Sequence, residues 1–261
     1  MFPIPEKILY SQTCAASSAM LPNPFGLLCW NLNKTPDAKR LASEMERWSS
    51  QWDFHLCLFQ EARLDTMERL LHQRYEIRAG INLELRGKRY GVLSASTACP
   101  LEADGGHSLG REALFGPPKA YLLTRYSLSE NHNLLCLNLH AINFRETRRY
   151  RRELKRLQTL LNRHRGPMIV AGDFNRWNRG REEALNRFAE QLGLTQVPLE
   201  DKPVKAFMGH PLDFIFYRDL SLRHCDVLRQ SLSDHNPIAA EFSPIAKEGA
   251  IHSSAEWGDT D

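Results

Sequence analysis

Short apolar runs alternate with polar stretches along most of the chain, and the periodicity switches repeatedly between strand-like and helix-like. Gly26–Trp30 is a continuous apolar run of strand length that ends in Asn31-Leu32-Asn33. Thr35-Pro36 then reads as an N-cap and first helical residue, and Leu41, Met45 and Trp48 recur at helical spacing. Phe54–Phe59 is a second strand, ending in Gln60-Glu61, with Met67, Leu70 and Leu71 on the next helix. Tyr90–Ser94, Ala120–Tyr126 and Asn133–Leu139 predict further strands, the last running into His140. From Arg145 onward, Tyr150, Leu154, Leu157 and Leu161 mark one apolar helix face. Met168–Ala171 is a strand that stops at Gly172-Asp173-Phe174-Asn175. The helix after it carries Leu185, Phe188 and Leu192 and is stopped by Gly193. Asp213–Tyr217, His224–Leu228 and Pro237–Phe242 complete the strands. Polar motifs therefore fall where strands end, the place where loops of an α/β protein converge above a rigid sheet.

Composition adds boundaries. With 261 residues, 42% apolar and 25% charged, the chain suits one large domain over 25–244, an N-terminal extension over 1–24 and a polar, frayed tail over 245–261. No interior Pro/Ser/Gly linker and no solenoid-length repeat is present. Residues 1–20 carry Pro3, Pro5, Glu6 and Lys7 and lack the apolar run of a secretion signal, and no stretch reaches the length of a membrane span. None of the six cysteines forms a Cys-x-x-Cys pair, and Cys29, Cys57 and Cys136 sit inside apolar runs as small hydrophobes. A cytoplasmic monomer is the expectation. The net charge of +3 hides an asymmetry, because 145–165 holds nine Lys/Arg against two Glu. Concentrated positive charge points to an anionic partner.

Each polar motif is weak alone. Glu61 is at face value a solvated strand end, and Gly172-Asp173-Phe174-Asn175 an Asx-turn. Asp213 stands between Leu212 and Phe214, where burial without a partner is costly; a structural ion pair or cap is the plain explanation. Together they make a coherent list. Glu61, Asp173, Asp213 and Asp234 supply carboxylates, Asn31 and Asn175 amides, and His140 and His235 imidazoles. Hard oxygen ligands suit Mg²⁺, with Mn²⁺ as the alternative, and the histidines and remaining carboxylates suit water activation. The mixture is poor in the thiolate and clustered imidazole ligands of zinc.

Six motifs, Trp30-Asn31, Gln60-Glu61, Asn138-Leu139-His140, Gly172-Asp173-Phe174-Asn175, Leu212-Asp213-Phe214 and Ser233-Asp234-His235, resemble in order those of the endonuclease/exonuclease/phosphatase superfamily, which includes exonuclease III and DNase I. Phe59-Gln60-Glu61-Ala62, His140 through Phe144 and Pro211 through Tyr217 are most similar to the bacterial YafD-type proteins, and the similarity runs from about Leu28 to Phe242. The resemblance implies an α/β four-layer sandwich of two mixed β-sheets flanked by helices, with strand-end loops forming one cleft. It implies a metal site at Glu61, helped by Asn31 and by Asp234 through water. It also implies that Asp173 orients or deprotonates the attacking water, Asn175 donates to phosphoryl oxygens, and Asp213 holds either His235 or His140. His235 then acts on the scissile phosphate, as base or as transition-state stabiliser, and His140 stands at a position that is Tyr in several repair enzymes. Asn33 departs from the pattern where some repair members carry Asp, leaving the metal site one charge fewer.

Asn143, Arg111, Lys119, Arg145, Arg176 and Trp177 are candidate substrate contacts, although Arg111 and Lys119 read equally well as solvated loop charges. The basic 145–165 segment is either a phosphate footprint or the solvated face of an amphipathic helix. Gly106-His107-Ser108-Leu109-Gly110 fits the serine-hydrolase elbow, but it lacks the buried strand before it and the helix after it, so a flexible loop is expected. The reading is a metal-dependent phosphodiester hydrolase, with nucleic acid as first substrate. A phospholipid or small phosphoester is the second, and a non-catalytic anion-binding module the third.

Overall fold

The computed structural model describes residues 9–111, 116–143 and 146–245. In chain order the elements are β1 (Leu9–Gln12), β2 (Phe25–Asn31), α1 (Ala38–Trp48), β3 (Phe54–Arg63), α2 (Leu64–Leu71), β4 (Glu76–Leu85), β5 (Lys88–Ser96), β6 (Glu102–Arg111) and β7 (Pro118–Ser129). They continue with β8 (His132–His140), α3 (Thr147–Leu161), β9 (Met168–Asp173), α4 (Arg179–Gln191), β10 (Thr195–Gln196), β11 (Ala206–Phe207), β12 (His210–Pro211), β13 (Asp213–Arg218), β14 (Leu220–Val227) and β15 (Ile238–Pro244).

Two large sheets result. One has the order β1-β4-β5-β3-β2-β15-β14 and the other β10-β13-β9-β8-β7-β6, while β11 and β12 form a separate hairpin. Within each sheet one pair is parallel, β2 with β3 and β8 with β9, and the other pairs are antiparallel. Both sheets are covered on both faces, which is why their central strands are apolar throughout rather than alternating. In β2, Leu27 and Cys29 join the core between the sheets with Leu56, Leu58, Cys136, Ile169 and Ile215. Leu28 and Trp30 point the opposite way, to Leu41 and Trp48 of α1 and Met67 and Leu71 of α2. The far face of the second sheet, with Leu137, Leu139 and Val170, is sealed by Tyr150, Leu154 and Leu157 of α3 and Leu185 and Phe188 of α4. The layers are thus helix, sheet, sheet, helix, as the motifs imply.

Each strand expected from the sequence overlaps an observed one. Several boundaries differ. Asp37, not Thr35, caps α1, its carboxylate accepting from the Arg40 amide. Residues 9–12, expected ahead of the domain, form an edge strand on β4. Gly106-His107-Ser108-Leu109-Gly110 is not a loop: it lies within β6, irregularly paired with β7 between His107 and Arg111. The Ser108 hydroxyl donates to Gly110 O and accepts from the Lys119 amide, and no catalytic base pairs with it among the described residues. The strand β4 was not among those expected, although Ile77, Ala79, Ile81 and Leu83 alternate inward; Ala79, Gly80 and Asn82 within it are poor strand formers. No helix among the described residues is long and apolar enough to cross a membrane.

Candidate active site

The ends of β2, β3, β8, β9 and β13 meet at one mouth of the sandwich, where a cleft of about 240 Å³ opens. Its walls include Asn31, Asn33, Glu61, Lys119, His140, Asn143, Asp173, Asn175, Trp177, Leu212, Asp234 and His235. In the second sheet, strand register sets the chemistry. His140 on β8 and Asp213 on β13 are both register partners of Asp173 on β9, so three titratable residues stand in a row across adjacent strand ends. Like charges directly opposite one another destabilise a sheet, which marks the Asp173–Asp213 pair as retained against stability.

Each carboxylate is held. Asp173 is 3% exposed. Its two oxygens accept from Asn31 Nδ2 at 3.0 Å and from the Asn175 amide at 2.9 Å. Burial and the neighbouring Asp213 charge nonetheless push its carboxyl up to about 7. Asp213 Oδ2 lies 2.7 Å from His235 Nδ1, which settles which imidazole Asp213 holds. Burial alone would lower His235, but the Asp213 carboxylate raises it to about 9. Burial also raises Asp213, against the pull of that imidazole. His140 is the counterpart: burial and the Lys119 ammonium hold it well below the ordinary range, so it is a neutral imidazole. Its Nε2 lies 3.5 Å from Asp173 Oδ2 and 3.7 Å from Glu61 Oε1.

Glu61 reaches the cleft through a bulge. The pairing of β3 with β5 is irregular between Phe59 and Ala62, and Glu61 takes a φ of +47°. A non-glycine residue in that region is strained, and bulges of this kind re-aim a side chain. Lys34 pairs with Glu61 Oε2 and Lys119 Nζ lies 3.5 Å from Oε1. Burial raises the Glu61 carboxyl, but the Lys119 and Lys34 ammonium groups outweigh it and hold it below the ordinary carboxylate range. Asn175 is likewise in the left-handed region, at φ +49°, and donates through Nδ2 to Ala141 O.

A buried scaffold fixes these groups. Gln60 Nε2 donates to Asn138 Oδ1 at 2.8 Å, a polar bridge from one sheet to the other, and Asn138 donates to Phe59 O and Leu93 O. The loop bearing His235 is stapled by Trp30 Nε1 and Gln230 Nε2, both donating to His235 O, and by Ser233 Oγ donating to Asn31 O. Arg181 is fully buried and donates to Ile142 O and Asn175 O, joining the two loops that follow β8 and β9.

Asp173, Asp213 and His235 present ligand atoms within 4.8 Å of one another, a grouping open to a metal ion by distance alone. The His235–Asp213 hydrogen bond already occupies two of those atoms, so the trio reads better as a proton-sharing network. Glu61 could hold a cation without giving up a hydrogen bond of that network. It is a hard carboxylate aimed into the cleft that already attracts two ammonium groups, and Asn31 and Asp173 line the same cleft. No thiol is among the lining residues described, and Cys29, in the core between the sheets, has its proton held by burial. These donors fit a hard divalent cation and not a thiophilic one.

Sequence-based site residues fall into three groups. Asn31, Glu61, Lys119, His140, Asn143, Asp173, Asn175, Trp177, Asp234 and His235 line the cleft, with Asp213 immediately behind His235. Asp234 sits at the rim, its carboxylate paired with Lys205 at 2.9 Å. Arg176 and Arg111 are not among the lining residues. Arg176 pairs with Glu182 at 3.0 Å and covers the Phe214 ring, which makes it a packing residue, and Arg111 faces Pro118 at the irregular end of β6. Arg145 lies outside the described residues. Lys34, Lys205 and Phe207 were missed. Lys34 follows Asn31 by three positions and could have been found as a cation next to a metal motif, whereas nothing in the sequence around Lys205 marks it.

A UPF0294 protein of Klebsiella pneumoniae (strain 342) is 35% identical over 226 residues, covering 84% of this chain and 82% of that protein. Among solved structures, an endonuclease/exonuclease/phosphatase from Beutenbergia cavernae superposes with a TM-score of 0.68 at 13% identity, over 85% of this chain and 72% of the other. The mannosyl-6-phosphatase Bt3783 of Bacteroides thetaiotaomicron does so with a TM-score of 0.62 at 15% identity, over 84% and 99%. At these identities the two structures bear on the fold alone, and it is the sequence profile that decides membership. With residues 28–235 matching that profile, and every one of the six strand-end motifs inside or beside one cleft, the chain belongs to the Endonuclease/Exonuclease/phosphatase family.

Proposed function

We propose that the chain is a divalent-cation-dependent phosphodiesterase whose first substrate is nucleic acid. The observation that carries the reading is the row His140–Asp173–Asp213 across three strand ends, with His235 and Glu61 facing it over one cleft. Family membership supports phosphoester hydrolysis in general. Glu61, with Asn31 and, at the rim, Asp234, would hold Mg²⁺ or Mn²⁺, which when bound neutralises phosphoryl charge and lowers the pKa of water.

The chain's own groups divide the remaining work. Asp173, with a carboxyl near 7, is tuned to take a proton from water close to neutrality. His235, kept protonated by Asp213, presents Nε2 as a donor to a phosphoryl oxygen or leaving group. Neutral His140 and the second amide proton of Asn175 orient the phosphate, and Lys119 offsets its charge. Nucleic acid is favoured over a lipid or small phosphoester because Trp177 lines the cleft beside cations and because nine Lys/Arg crowd residues 145–165.

The test is a panel of nucleic acids, phospholipids, small diesters and monoesters with Mg²⁺, Mn²⁺ or EDTA. Asp173→Ala and His235→Ala should each lower turnover by roughly 10² or more while the fold persists. Glu61→Gln should raise the metal concentration needed for half-maximal rate. Metal-independent activity, or nucleic-acid binding with no cleavage of any ester, would sink the reading.

A further inference from the structure

Away from the cleft, a groove of about 410 Å³ runs between α3 and α4. Leu154, Ala184 and Phe188 form its floor, and Arg151, Lys155 and Arg187 stand on its banks. All three cations are exposed. The single carboxylate in the lining, Glu183, is shared between Arg151 at 3.9 Å and Arg179 at 3.2 Å. Lys155 and Arg187 have no ion pair among the described residues.

The two helices that form the groove begin beside the candidate active site, and the groove itself opens about one turn further along, at Arg151 and Glu183. The helix α3 follows the His140–Asn143 end of β8, α4 follows the Asp173–Trp177 end of β9, and those strands are parallel neighbours. The two helices therefore start side by side, with Thr147 against Gly180, and run away from the cleft in the same direction. In the groove, Arg151 and Lys155 stand one turn apart on α3, about 5 Å, with Arg187 across from them on α4, and Arg148 lies a further turn toward the helix start, so the cations form a row and not a ring. A ring suits one compact anion, whereas a row suits a chain of regularly spaced charges.

We infer that the α3–α4 groove is the track for the single-stranded flank of a nucleic-acid substrate whose scissile phosphate lies in the cleft. This rests on the proposed phosphodiesterase reading for its register with the cleft, but not for the binding itself. Leu154 and Phe188 close the space between the helices, so a ligand lies in the surface channel above them, where a single file of exposed cations suits the flexible backbone of one strand better than the rigid backbone of a duplex. The one aromatic ring in the lining, Phe188, is buried in the floor, so no stacking platform is offered. Binding along the groove should then be insensitive to sequence and steeply sensitive to salt.

The experiment compares wild type with Arg151→Gln/Lys155→Gln/Arg187→Gln, both in EDTA, by fluorescence anisotropy with long single-stranded DNA between about 50 and 200 mM salt. Neutralising three phosphate contacts should reduce the slope of log K against log salt by about 2 and weaken binding at low salt about tenfold or more. In a separate assay with Mg²⁺ in place of EDTA, a dinucleotide too short to leave the cleft should be hydrolysed equally by both proteins. An unchanged slope, a stronger loss with duplex than with single strand, or equal competition by phosphatidylserine vesicles overturns the inference. A changed slope in a protein that cleaves nothing keeps the groove and removes only the catalytic reading. Melting curves of the two proteins should coincide, because these side chains are solvated.

Discussion

At the scale of single residues, the site is bought with strain and like charge. Gly172 shows it most sharply. It has φ +141°, and a Cβ there would fall 1.9 Å from Leu139 O, inside the backbone of β8. No side chain fits without separating the two parallel strands that carry His140 and Asp173. Gly172→Ala should cost more than about 3 kcal/mol in a denaturation experiment, well above the usual point-mutant loss. A loss within about 1 kcal/mol would mean that the β8–β9 spacing is softer than the register implies. Glu61 and Asn175 tell the same story from the other side: they adopt positive φ without the freedom of glycine, and both aim polar groups at the cleft.

At the scale of elements, the apolar rhythm made the central strands and the four helices legible, because buried strands and one-sided helices leave unambiguous periods. Edge elements were less legible. The strand β1 is recognisable only by its pairing with β4, and β6 is broken by Gly105, Gly106 and Gly110. The site motifs were visible because ligand types cluster at strand ends, but the choice of Asp213 for His235 over His140 is a matter of tertiary position. So is the turning of Arg176 away to Glu182. One consequence concerns the loop after β14. Trp30 Nε1 donates to His235 O at 2.8 Å, and Gln230 donates to the same oxygen at 2.7 Å, so the loop hangs from β2 by a bond that leaves no orphaned acceptor if removed. Trp30→Phe should therefore cost only about 1–3 kcal/mol, for one hydrogen bond and a partial cavity. Turnover should fall further than that stability loss explains, with the metal requirement unchanged. Equal turnover at unchanged stability would show that the staple does not orient His235.

At the scale of the whole molecule, the cleft should lower stability as well as enable chemistry, and pH separates the two effects. Asp173 has its carboxyl raised from 3.8 to about 7 by burial and by Asp213. The fold therefore holds this proton more tightly than the unfolded chain does. Between those two values the unfolded state has already ionised while the folded state resists, so stability falls as pH rises from about 4 to about 7 and is level beyond. Asp173→Asn removes that dependence. Asparagine can still accept from the Asn175 amide, but its own amide then meets Asn31 Nδ2, donor against donor, at a cost independent of pH. In the presence of EDTA, the stability of Asp173→Asn minus that of wild type should thus grow by about 2–3 kcal/mol between pH 5 and pH 8, whatever its starting value. His140 is common to both proteins and cancels in the difference, whereas the His235–Asp213 pair feels the Asp173 charge, so its response is part of the same network change. Urea denaturation at the two pH values measures it directly. A constant difference would mean that Asp173 ionises normally in the fold, and that it is not the group tuned to accept a proton from water near neutrality.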